Sequence, residues 1–172
     1  MKSYMISSNE LCHSQLKKHS VDYALYRDKN DPNYAENAKL FISTCKEHGG
    51  VKVFIHQDVD LADELGADGV HLSSEQFNKI TYAKAKNLEV IISTHSIDEV
   101  KKAQNLGADA VTYSPIFFTP HKGKPKGVED LKELVKSVDI KVFALGGITG
   151  ENEIQMIKDI GVYGFASIRY FD

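Results

Sequence analysis

Short apolar runs alternate along the chain with stretches whose apolar residues recur at helical spacing. Tyr4–Ser8, Asp22–Tyr26, Val51–Ile55, Gly69–Leu72, Glu89–Ser93, Ala110–Tyr113, Lys141–Leu145 and Gly164–Ile168 read as strands buried on both faces. Between them a helix is predicted from Asn9, carrying Leu11 and Leu16. A second opens at Pro32 and turns Ala38, Phe41, Ile42 and Cys45 to one side. Further helices are predicted over Val59–Leu65, around Phe77–Lys86, along Ile97, Val100, Ala103 and Leu106, and along Val128, Leu131, Leu134, Val135 and Val138. After the seventh strand, Gly146-Gly147 ends the run, Thr149 offers an N-cap, and Ile154, Ile157 and Ile160 continue at helical spacing.

Eight strands alternating with helices predict an α/β fold with a parallel sheet, and eight is the number that closes a (β/α)8 TIM barrel. An internal echo agrees: Leu65-Gly66-Ala67-Asp68-Gly69-Val70 recurs as Leu106-Gly107-Ala108-Asp109-Ala110-Val111, and more weakly at Ile160–Phe165. Each copy ends a helix at glycine and begins a strand at once, a structural return with no chemistry of its own. Only Arg169 to Asp172 follow the last strand, so the eighth helix is expected to be absent or truncated. An open doubly wound sheet is the other architecture considered. It fits less well because Ser7-Ser8-Asn9 carries no glycine fingerprint.

Composition narrows the picture. The 172 residues suit one domain, 1–172, and their 42% hydrophobic and 26% charged content is that of a soluble globular protein. A net charge of −3 gives no electrostatic footprint for nucleic acid or an anionic membrane. No apolar run approaches the roughly 18 residues of a membrane span. Met1–Asn9 lacks the pattern of a signal peptide. Cys12 and Cys45 have no metal-ligand spacing; a disulfide is open to them, but free thiols in a cytoplasmic protein are the better reading.

In such a barrel the chemistry gathers at the C-terminal ends of the strands. Those ends supply Arg27 and Lys29, His56, His71, Ser93 and His95, the loop Thr119 to Lys122, Gly146-Gly147, and Ile168-Arg169. Cations, imidazoles and bare amides dominate, which suits a phosphorylated ligand held by Arg27, Lys29 and Lys122, with the glycine pair and Ile168-Arg169 as the phosphate cradle. Each has a plainer reading: a simple glycine turn, solvated lysines and arginine, His71 as a packing residue, His121 as an exposed loop residue. Four histidines come from separate strands without carboxylate support, so no metal site is expected.

These residues resemble a known family. Ile55-His56-Gln57-Asp58-Val59-Asp60-Leu61-Ala62, the Leu65–Leu72 run, Ser93-Thr94-His95, Gly107-Ala108-Asp109, Pro115–Lys122 and Ala144–Ile148 are similar to thiamine phosphate synthase and thiazole tautomerase, from Tyr23 to Phe171 in consistent order. The resemblance implies a (β/α)8 barrel that handles thiazole phosphate in vitamin B1 synthesis. The synthase joins it to a pyrimidine methyl diphosphate and releases pyrophosphate with magnesium; the tautomerase shifts a proton on a thiazole carboxylate phosphate.

Carried over by position, the synthase motif that grips the diphosphate keeps Arg27 and Lys29, while its glutamine is Leu25. Its two magnesium carboxylates are Gln57 and Gln76 here, and its Thr-x-Thr-Lys loop keeps Thr119 and Lys122. Ser93 and Gly146-Gly147 are intact, and the tautomerase's histidine falls at Pro115. Neutral amides compensate little of magnesium's charge beside a diphosphate. The expectation is therefore a metal-free proton shift on a phosphorylated thiazole, with no cofactor, His121 or else His56 as shuttle, and Lys122 polarising the substrate. The alternatives are the synthase reaction with magnesium, and a non-catalytic binder of thiazole or thiamine phosphate. A homodimer is expected if the missing helix leaves apolar surface bare.

Overall fold

β1 (Lys2–Ser7), β2 (Tyr23–Tyr26), β3 (Lys52–His56), β4 (Gly69–Leu72), β5 (Glu89–Thr94), β6 (Ala110–Tyr113), β7 (Lys141–Leu145) and β8 (Gly164–Ser167) form a closed barrel in sequence order in the computed structural model, which describes residues 1–172. All neighbours pair in parallel, and β1 meets β8 through Lys2 opposite Gly164 and Met5 opposite Ser167. The first seven strands each lead to a helix: α1 (Asn9–Lys18), α2 (Tyr34–His48), α3 (Val59–Glu64), α4 (Ile80–Ala85), α5 (Ile97–Asn105), α6 (Gly127–Ser137) and α7 (Glu151–Lys158). The predicted (β/α)8 barrel is the observed fold.

Strand alternation sorts side chains into two cores. Tyr4, Ile6, Tyr23, Leu25, Phe54, Ile91 and Phe143 fill the barrel, while Met5, Ala24, Tyr26, Val53 and Ile55 pack outward against the helices. The barrel holds four large rings because two strand-opening glycines give way. A Cβ on Gly69 would stand 2.4 Å from the Phe54 ring, and one on Gly164 would stand 2.7 Å from the Phe143 ring.

The repeated Gly-Ala-Asp return has a mechanical role at the opposite face from the site. Asp68 accepts a hydrogen bond from the Val53 N–H at 2.8 Å, and Asp109 accepts one from the Val90 N–H at 2.7 Å. Asp22, just before β2, does the same for the Ser3 N–H at 3.0 Å. Carboxylates thus cap the strand starts that a barrel rim would otherwise leave unpaired.

One local expectation shifts, and the expected truncation after β8 is observed. The α7 cap is Gly150 rather than Thr149, because Glu153 reaches back to accept from the N–H groups of Thr149 and Gly150 at 3.3 and 2.9 Å. The eighth helix shrinks to a 3-10 turn over Arg169–Phe171. Phe171 there is fully buried and stacks on Phe165 with ring centroids 6.0 Å apart.

Candidate active site

The C-terminal strand ends surround a cavity of about 280 Å³ with an apolar floor of Ile6, Leu25 and Leu145. Arg27 and Lys29 enter after β2, His56 and Gln57 at the end of β3, Ser93 from β5, Thr119 and Lys122 from the β6–α6 loop, Gly146 after β7 and Ile168 after β8. Eight predicted site residues therefore meet around one space: Arg27, Lys29, His56, Ser93, Thr119, Lys122, Gly146 and Ile168. His71 and His95, named among the strand-end residues, line it too, together with Ser73, Ser74 and Ser114, which were not expected. A wider groove of about 710 Å³ adjoins on the β2–β4 side, sharing Lys29, His56 and Gln57 and edged by Asp28, Asp31, Asp58 and Asp60.

His121, Gly147 and Arg169 stand outside the cavity lining. His121 adopts a left-handed backbone (φ 62°) at an exposed tip, so its neighbour Lys122 reaches the cavity and the imidazole does not. Gly147 is explained by chain packing: a Cβ there would lie 2.5 Å from the Phe118 carbonyl oxygen and 2.7 Å from Phe117 Cβ. Gly146 is pressed likewise, with a Cβ 2.7 Å from Pro115 Cα, and both glycines hold positive φ. The pair seats the β6–α6 loop against the end of β7. It also leaves amides bare, since the N–H groups of Gly146, Gly147 and Ile168 meet no acceptor within the protein.

Positive charge is uncompensated at the rim. Arg27, Lys29 and Lys122 take part in no ion pair. That field acts on the imidazoles. Burial, then the charges of Arg27 and Lys29, push the His56 pKa down to about 4. Burial, then His56 and Arg27, push that of His71 down to about 3. Both rings are neutral at neutral pH. His71, almost wholly buried at the cavity lining, has Tyr4 Oη 2.8 Å from Nδ1 and Ser93 Oγ 2.9 Å from Nε2.

The two positions at which the resemblance would place magnesium carboxylates do not fit that ion. Gln76 Oε1 accepts from the Ser73 N–H at 3.0 Å, and its Nε2 donates to the Gln57 carbonyl at 3.2 Å. The nearest carboxylate in sequence, Asp58, caps α3 by accepting from the Leu61 N–H at 2.9 Å. Nowhere do three or more His, Cys, Asp or Glu side chains come together in an arrangement able to hold a metal. Two neutral amides, of which the Gln76 oxygen is already engaged by the Ser73 N–H, make a poor cradle for a hard dication.

Comparison with known proteins places this geometry. The family model for thiamine monophosphate synthase matches residues 4–171. A thiamine-phosphate synthase of Fusobacterium nucleatum is 32% identical over 97% of this chain and 87% of its own length. One from Lactococcus lactis is 31% identical over 88% of this chain and 73% of its own. Among solved structures, a thiamine phosphate pyrophosphorylase from Pyrococcus furiosus superposes with a TM-score of 0.85 at 30% identity, covering 97% of this chain and 85% of that one. The match runs from β1 to the closing turn and takes in every strand end around the cavity, and the chain belongs to the thiamine monophosphate synthase family of thiamine biosynthesis.

Proposed function

We propose that this chain performs the transfer for which its relatives are named, joining a phosphorylated thiazole to a pyrimidine methyl diphosphate and releasing pyrophosphate. One observation carries the reading: a single cavity has anion-binding groups on two sides, the bare Gly146 and Ile168 amides on one and the unpaired Arg27 and Lys29 on another, with Lys122 reaching in from the β6–α6 loop. Two anion-binding sides suit two phosphorylated substrates meeting in one cavity, the arrangement a transferase needs. The thiazole phosphate sits on the amides of β7 and β8. The diphosphate lies against Arg27, Lys29, Lys122 and Ser93.

In the reaction the thiazole nitrogen attacks the pyrimidine methylene carbon while that carbon's bond to the diphosphate oxygen breaks. Charge grows on the departing oxygen, and the fixed cations stabilise it. No step is assigned to magnesium, because Gln57 and Gln76 do not suit it. Purified protein supplied with both substrates should release pyrophosphate, and with either alone should release none. Absence of release from the pair, with and without magnesium, overturns the reading.

The second reading is the metal-free proton shift, favoured by those same amides at positions 57 and 76. With His121 outside the cavity, His56 is its shuttle: neutral, half-buried and on the cavity wall. Solvent deuterium entering a thiazole carboxylate phosphate without pyrophosphate release would establish it.

A further inference from the structure

A buried polar chain runs from the barrel interior to the cavity: Tyr4 and His71, which neither functional reading uses, and Ser93, which the proposed transfer sets against the diphosphate. Tyr4 comes from β1 and is fully buried among Tyr23, Phe54 and Phe143. His71, from β4, is 3% exposed and also inside the barrel. Ser93, from β5, borders the cavity. The Tyr4 hydroxyl is bonded to a single group, His71 Nδ1 at 2.8 Å, and His71 Nε2 stands 2.9 Å from Ser93 Oγ.

We infer that Tyr4 and His71 are positioning residues that fix the polarity of Ser93, so that its hydroxyl hydrogen is presented to the anion bound in the cavity. The inference rests on the proposed function for the identity of that anion. A phenol has one hydrogen, and the only acceptor within reach of Tyr4 Oη is His71 Nδ1. Were Nδ1 protonated, the Tyr4 O–H would face aromatic rings unpaired, and a buried unpaired donor is the costly arrangement. Tyr4 therefore donates, and Nδ1 accepts.

Burial keeps His71 neutral, with its pKa pushed down to about 3, so the ring carries one proton and that proton is on Nε2. Nε2–H then donates to Ser93 Oγ. Ser93 makes no other hydrogen bond within the protein, and its own hydrogen is left to the cavity. The opposite tautomer would turn the serine hydrogen down into the barrel and offer a lone pair to an anion. The core of the barrel thus selects for an acceptor, such as a phosphoryl oxygen, at this point of the wall.

A long-range proton–nitrogen correlation spectrum of the ¹⁵N-labelled protein at neutral pH tests the tautomer without any ligand. Nδ1 of His71 should show the shift of an unprotonated nitrogen and Nε2 that of a protonated one; the reverse pattern overturns the inference. Titration with inorganic pyrophosphate then tests the consequence. Tyr4→Phe should weaken binding by about two- to tenfold, the range of one hydrogen bond, and should redistribute the His71 proton between its nitrogens. His71→Gln, whose amide can still donate near the Nε2 position, should bind more tightly than His71→Asn, which reaches only toward Tyr4. Equal losses in the two amide variants, or an unchanged tautomer and affinity in Tyr4→Phe, sink the relay. The expected wild-type tautomer with no pyrophosphate binding upholds the relay and overturns the proposed function instead.

Discussion

Among the site residues, burial and unpaired charge separate what acts from what merely lies near. His56 and His71 are both held neutral, by burial first and by neighbouring cations after it. Their linkage to folding has a definite sign. The unfolded chain takes up these protons near the ordinary value of 6.5, whereas the folded chain resists until about 4 for His56 and about 3 for His71. Their contribution to stability is full above pH 6.5 and declines as the pH falls through that interval. Urea midpoints measured at pH 7, 5.5 and 4.5 should drop, and His56→Asn should flatten the drop. Equal slopes in the two proteins would remove His56 from the account. For the rim cations, Arg27→Ala should weaken inorganic pyrophosphate by about tenfold or more, the scale of a hydrogen bond to a charged group. His121→Ala should stay within about twofold, since it lies off the cavity; calorimetry compares them. Chain order alone cannot separate His121 from Lys122. The folded loop separates them, with Lys122 lining the cavity and His121 outside it.

Strands and helices were legible to within a residue or two at most ends, since their signals are local: apolar runs, helical spacing, and glycine just past four of the seven helices. Less legible was the purpose of the glycines. Gly146-Gly147 read as a ligand cradle, yet what forbids a side chain at Gly147 is the Phe117–Phe118 backbone of the preceding loop. Gly147→Ala combines that collision with a positive φ and should destabilise by about 1–3 kcal/mol or more, displacing Thr119 and Lys122 along with the loop. Gly69→Ala, at the far face, meets Phe54 and should cost a similar ~1–3 kcal/mol. It should leave pyrophosphate affinity unchanged in the folded protein. Urea unfolding beside pyrophosphate titration distinguishes these outcomes, and loss of affinity in Gly69→Ala would contradict the division between a stability face and a binding face.

At the scale of the whole barrel, the turn after β8 is anchored by Phe171. Phe171→Ala removes a fully buried ring stacked on Phe165 and should cost about 3–5 kcal/mol. A loss below 1 kcal/mol in urea unfolding would mean that the turn is a loose tail. Alternation of period, the count of eight and the repeated Gly-Ala-Asp returns were enough to specify the barrel and to bring eight site residues to its mouth, because those signals reside in neighbouring residues. They could not say which face of a doubly buried strand looks inward. His71 therefore passed for packing, although it bridges Tyr4 and Ser93 from strands β1 and β5. Contacts across a barrel depend on closure and register, which align residues far apart in the chain and leave no periodic trace within any one segment.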